Sequence, residues 1–96
     1  MAIASLEVTG IAFMSATPVS QSIAIPETGT PTVALVTNIS DEVAFVALGD
    51  DTVEATQYES VAVLPRSPVA LTIGAATNIA AVTLNGVAGL NIAFGT

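Results

Sequence analysis

TVALVTNISDEVAFVALG, residues 32–49, is the stretch whose reading decides the fold. Two runs of β-branched and apolar residues, 32–37 and 43–48, flank the break Asn38-Ile39-Ser40-Asp41-Glu42. In the first run Val33, Leu35 and Thr37 point one way, and Thr32, Ala34 and Val36 the other. In the second, Val43, Phe45 and Ala47 alternate with Ala44, Val46 and Leu48. Residues two apart in a strand share a face, so both runs read as strands that are apolar on both faces. A five-residue break rich in Asn, Ser and Asp suits a hairpin connection. A hairpin of this kind needs cover on both sides, which places it at the centre of a sandwich or barrel.

The rest of the chain supplies further strands. Ile3, Ser5, Glu7 and Thr9 alternate with Ala4, Leu6 and Val8, and Ile11 and Phe13 continue after a bend or bulge expected at Gly10. Thr17-Pro18 ends that run, and Val19, Gln21, Ile23 and Ile25 form the next face. Pro26 and Pro31 bound a turn cluster before the central stretch. After Gly49-Asp50-Asp51, residues 52–57 read as a short strand and residues 60–64 as another. Pro65-Arg66-Ser67-Pro68 turns into Val69, Leu71 and Ile73. Gly74-Ala75-Ala76-Thr77 turns again, into residues 78–84. Asn85-Gly86 is a strong signal for a tight hairpin, and Leu90, Ile92 and Phe94 share one face of the closing strand.

No segment keeps a helical period, and turn signals recur every 8–12 residues or so. The expected fold is therefore all-β: an antiparallel β-sandwich, jelly-roll-like, of eight or nine short strands. Residues 1–96 make one domain, a size that buries roughly 60–68% of its unfolded surface.

Composition excludes more than it assigns. The chain has no Cys, no His and no Lys, and Arg66 is its only cationic side chain. Disulfides, the usual zinc and copper sites and the His-dependent catalytic arrangements go with them. The net charge is −7. One Arg cannot neutralise a run of phosphates, so neither nucleic acid nor an anionic membrane surface is an expected partner. A basic protein surface would instead be attracted. Residues 67–96 carry no charge, yet their apolar spacing is two, which argues against a spanning helix. No basic region precedes the apolar residues of the N-terminus, so no secretory signal is expected.

Hydrophobic residues make up 52% of the chain and charged ones only 9%, against about a quarter charged in ordinary domains. So sparse a set of charges implies that part of the exterior is covered by another molecule. Asp50-Asp51 with Glu54, or Asp41-Glu42, could offer oxygens to Ca2+, but neither has EF-hand spacing, and turn chemistry accounts for both. Paired carboxylates could serve a glycosidase, but most acids fall at loop tips and there is no Trp to carry a sugar. No enzyme activity, cofactor or metal is expected. Phe13, Phe45 and Phe94 read as core. Arg66 reads either as a solvated turn cation or as an anchor to a carboxylate of another subunit. The uncharged terminal strand AGLNIAFG is expected to be an inner strand or to pair with a neighbouring subunit. Arg66, Leu90, Ile92 and Phe94 are accordingly the candidate interface residues, in a homo-oligomer expected to be a trimer or dimer.

Three quoted runs together carry a family likeness: ALVTNISDEVAFVALGDDTVEAT, VLPRSPVAL and TNIAAVTLNGVAGLNIAFGT. With Thr37-Asn38 ahead of residues 44–49, then Leu64-Pro65, then residues 79–95, the chain resembles small β-sandwich structural proteins of tailed bacteriophages over residues 32–96. The resemblance implies a capsid decoration or cement subunit on the outer surface of a virion, with the major capsid protein as partner. A carbohydrate- or receptor-binding module of a fibre or adhesin is the alternative from another class, and the shortage of Trp and Tyr weighs against it.

Overall fold

The computed structural model describes residues 6–96, and the part of the first expected strand at residues 2–5 lies outside them. Eight strands follow one another: β1 (Val8–Ala16), β2 (Gln21–Ala24), β3 (Val33–Asn38), β4 (Ala44–Gly49), β5 (Val61–Val63), β6 (Pro68–Thr72), β7 (Asn78–Thr83) and β8 (Ala88–Gly95). No helix occurs among the described residues. The strands form two four-stranded antiparallel sheets, sheet A in the order β1-β8-β3-β6 and sheet B in the order β2-β7-β4-β5. The molecule is a β-sandwich, a slab of 36 × 32 × 20 Å.

The pairing is nested. β1 pairs with β8, β2 with β7, β3 with β6 and β4 with β5. β8 and β3, and likewise β7 and β4, then join these pairs into sheets. Each connection except the one from β4 to β5 therefore carries the chain from one sheet to the other.

Two expected hairpins are corrected by this order. β3 and β4 do not pair; the link between them arches across the sandwich. The inner faces of the two strands, Ala34 and Val36 on one and Ala44 and Val46 on the other, bury together in one core. The break read as a hairpin loop is an arch tied at its buried first residue. Asn38, with no exposed surface, donates from Nδ2 to the carbonyls of Glu42 (2.6 Å) and Val63 (3.1 Å). Its Oδ1 accepts from the Ser40 N–H and hydroxyl. Every polar valence of that amide is used, as burial demands. Asn85-Gly86 likewise turns, with Gly86 at φ 83°, but it joins sheet B to sheet A rather than two paired strands. A dipeptide selects a local bend and leaves open which partners the strands beyond it find.

The bulge expected at Gly10 is present as a register shift between Val8 and Gly10. β8 is an inner strand, between β1 and β3. Between the sheets lie Met14, Val36, Val46, Val63, Ile79, Leu90, Ile92 and Phe94 with several alanines. Burying each large aliphatic or aromatic side chain there is worth about 1.5–3 kcal/mol.

A second, smaller cluster lies on the outer side of sheet B: Phe45, Ala55, Ala80 and Val82, with Val43, Ala47, Val53 and Leu84 against them. Its cover is the connection at residues 50–60. This segment contains no strand, so the strand expected at 52–57 is also corrected. Its backbone bonds to side chains and loops instead of to a ladder. Ala55 N–H donates to Ser20 Oγ at 2.9 Å, and Gln57 Nε2 to the Thr83 carbonyl at 2.8 Å. Val53 comes so close to Gly49 that a Cβ there would lie 2.9 Å from its side chain. Tyr58 closes over Phe45 with ring centroids 5.7 Å apart.

Candidate docking surface

β4 receives the double cover that its sequence demands. β3 does not. Its inner residues Ala34, Val36 and Asn38 are buried, while Val33, Leu35 and Thr37 on the other side remain half-buried. The strand is central in its sheet, yet no described segment lies over its outer face.

The registers show what that face is made of. Ile11 pairs with Ala93, Ala93 with Leu35 and Leu35 with Ala70, giving an apolar row across all four strands. Next to it run Phe13, Asn91, Thr37 and Pro68 by the same pairings. On the other side lie Val8, Gly95, Val33 and Thr72, and here the bulge matters. Without the register shift Val8 would share the inward parity of Ala12 and Met14; with it, Val8 pairs with Gly95 and points outward. Exposure is high for side chains of this type: Ile11 66%, Phe13 61%, Ile39 51% and Val8 49%. The Phe13 ring lies over Gly89, where a Cβ would come within 3.2 Å of its Cζ and 3.4 Å of Ile39 Cγ1. An aromatic thus shields a glycine backbone that would otherwise be bare.

Charge is segregated. No strand contains a charged residue; all eight carboxylates and Arg66 lie outside the strands. Asp50, Asp51, Glu54 and Glu59 all belong to the segment that covers sheet B. Four of the eight carboxylates thus belong to the segment over sheet B, while the strands of sheet A present an uncharged, largely apolar outer face.

The residues expected at an interface fare differently. Leu90, Ile92 and Phe94 are fully buried in the protomer's own core, because their shared face is the inward one, and they are not surface residues. Arg66, in the left-handed region at φ 58°, donates from Nε to Asp41 Oδ1 of its own chain at 3.0 Å, with both side chains well exposed. The pair links the turn after β5 to the β3–β4 arch, and exposed ion pairs contribute little to stability. Phe13, read as core, is on the surface. Strand parity did place Ile11 and Phe13 together; the sequence holds no sign that β8 would back them with Gly89, Asn91 and Ala93.

The acidic turns show turn chemistry. Asp50 Oδ1 accepts from the Thr52 hydroxyl (2.6 Å) and the Thr52 N–H (2.9 Å). Those two bonds hold its carboxyl below the usual carboxylate range. Among the described residues no three carboxylates gather to hold a metal ion. An open groove of about 800 Å3 lies between the β2–β3 connection and the turn after β6. Ile25, Pro26, Ile73 and Thr77 are in its lining, and Glu27 is the one charged residue there. No helix among the described residues is long and apolar enough to cross a membrane.

No family model, curated protein or solved structure matches this chain.

Proposed function

We propose that this protein is a structural subunit of a virion, a capsid decoration or cement protein that docks on the major capsid shell through the outer face of sheet A. One observation carries the reading: the outer face of sheet A is uncharged and exposes aliphatic and aromatic side chains. Docked this way, the subunit places Ile11, Phe13, Ile39 and Leu35 against the shell. Such a face desolvates without stranding charge, which is what an apolar interface core requires. Binding is the whole task of a cement subunit, and the proposal includes no catalytic step. The nested pairing is read as a jelly-roll wrap, an architecture that recurs in virion proteins. The glycan- or receptor-binding alternative would use the groove, whose lining has no aromatic side chain on which a sugar could stack.

Co-sedimentation with undecorated phage-like capsids tests the reading. Saturable binding is expected, together with shells that survive heating and low salt better. Ala70→Asp puts a charge at the exposed end of the apolar row, and it is expected to lower shell affinity at least tenfold with the melting temperature unchanged. A chain that ignores capsids, or an Ala70→Asp variant that binds them like the parent, overturns it.

A further inference from the structure

β1 is one of the two edges of sheet A, and we infer that a second copy of this chain pairs with it, antiparallel about a two-fold axis through Phe13. Three observations carry this.

The first is the state of the four sheet edges. β2 has four residues, β5 three, and β6 opens with Pro68, which has no N–H to offer. Short strands and Pro are the usual ways of blunting an edge. β1 has nine residues, no Pro and no charge. The β2–β3 connection shelters its first turn of chain, where Pro26 stands 3.5 Å from the Cβ position at Gly10 and Thr9 touches Gly29. Among the described residues nothing shelters residues 11–16 in this way. None of the described hydrogen bonds outside the β1–β8 ladder uses their backbone.

The second is self-complementarity. A two-fold contact needs a segment that fits its own reverse. With the axis at Phe13, the two Phe13 side chains stand opposite one another, and each Ile11 stands opposite Ser15 of the second copy. All three residues share the outward parity. The pairing confines itself to the uncovered window and leaves the sheltered bulge outside.

The third is charge and area. Glu7 is the acid nearest β1 in sequence, and this register carries it beyond the paired window; two chains of net charge −7 meet without opposing carboxylates. Four strands about 4.8 Å apart, some six residues long at about 3.4 Å each, give one sheet face a plan area of ~400 Å2. That is small for a stable interface, to which each partner gives about 800 Å2. Edge pairing makes one eight-stranded sheet, β6-β3-β8-β1 continued by its copy, and doubles the continuous uncharged face. The dimer is then the unit of the right size to dock.

The absence of native cysteine makes the test clean. Sedimentation equilibrium at micromolar concentration is expected to give a dimer for the parent and a monomer for Phe13→Glu, with the Phe13→Glu melting temperature within a few degrees of the parent's. Ile11→Cys and Ser15→Cys chains, oxidised together, are expected to yield the mixed disulfide far in excess of either self-linked product. A monomeric parent overturns the inference. So does a dimer that Phe13→Glu leaves intact, or cross-linking that shows no preference for the mixed pair. Ala70→Asp separates this pairing from the shell reading: it is expected to remain dimeric while losing capsids. A dimer that Ala70→Asp dissolves would mean face-to-face stacking, and would also overturn edge pairing.

Discussion

Phe45 and Phe13 both point away from the space between the sheets, one from sheet B and one from sheet A. Phe45 is 6% exposed and Phe13 61%. Both faces carry an aromatic among aliphatic side chains, and the difference in cover comes from the connections. Residues 50–60, inserted between β4 and β5, fold back over sheet B and pack Val53, Ala55 and Tyr58 against its outer side. Nothing described does the same for sheet A. Cover in this fold comes from a loop with side-chain anchors, so two similar strands can end as core on one side and surface on the other.

Substitutions at matched places can break that comparison. Phe45→Ala carries the largest expected effect, a loss of about 3–5 kcal/mol, because it opens a cavity beneath the residue 50–60 segment. Chemical denaturation measures it, and a loss under about 1 kcal/mol would mean that the cover is not packed. Asn38→Ala comes next. It strands the carbonyls of Glu42 and Val63 in the arch between the sheets, and about 1–3 kcal/mol is expected to be lost. A near-neutral result in urea titration would show that water replaces the amide. Phe13→Ala is expected to change stability by no more than about 0.5 kcal/mol, as for an ordinary surface site, while weakening association. A large stability loss there would place Phe13 under cover.

The smallest effect is a pH dependence at Asp50. Its folded-state pKa is depressed by Thr52, so the bonded carboxylate contributes stability above its unfolded pKa, and that contribution fades as pH falls through the folded value. Thermal melts of the parent and of Thr52→Val should differ slightly at neutral pH and converge in acid. A difference that persists in acid would belong to Thr52 and not to the carboxylate.

Most strand positions and the bulge at Gly10 are legible because each follows from local alternation; an inner place for β8, one of two expected outcomes, follows from its lack of charge and Pro. The partners of the strands are not legible. Residues 38–42 and 85–86 look like hairpin turns at short range, and only the burial of Asn38 and the facing of Val36 with Val46 show that the first is an arch. The segment 52–57 alternates like a strand, yet Ser20 and Thr83 hold it as a lid. The exposed surface was the hardest part to see. Val8, Ile11 and Phe13 spell an uncharged face, and in a sequence that is indistinguishable from a core face until its neighbours are known. For the same reason the alternation of Leu90, Ile92 and Phe94, which reads in the sequence as a candidate interface, serves the interior.

The nesting of the strands has a consequence in time. Among the described strands only β4 and β5 are both consecutive and paired; every other ladder joins parts of the chain far apart in sequence, and β1 pairs with β8. Such topologies fold slowly, in about milliseconds to seconds, because loop closure must precede reward. Growth is expected to spread outward from the β4–β5 pair. During synthesis β1 emerges first and then waits for β8, the strand that also links it to β3. Throughout that interval IAFMSA has both edges bare, so the ribosome-bound chain is more prone to wrong pairing than the finished protein.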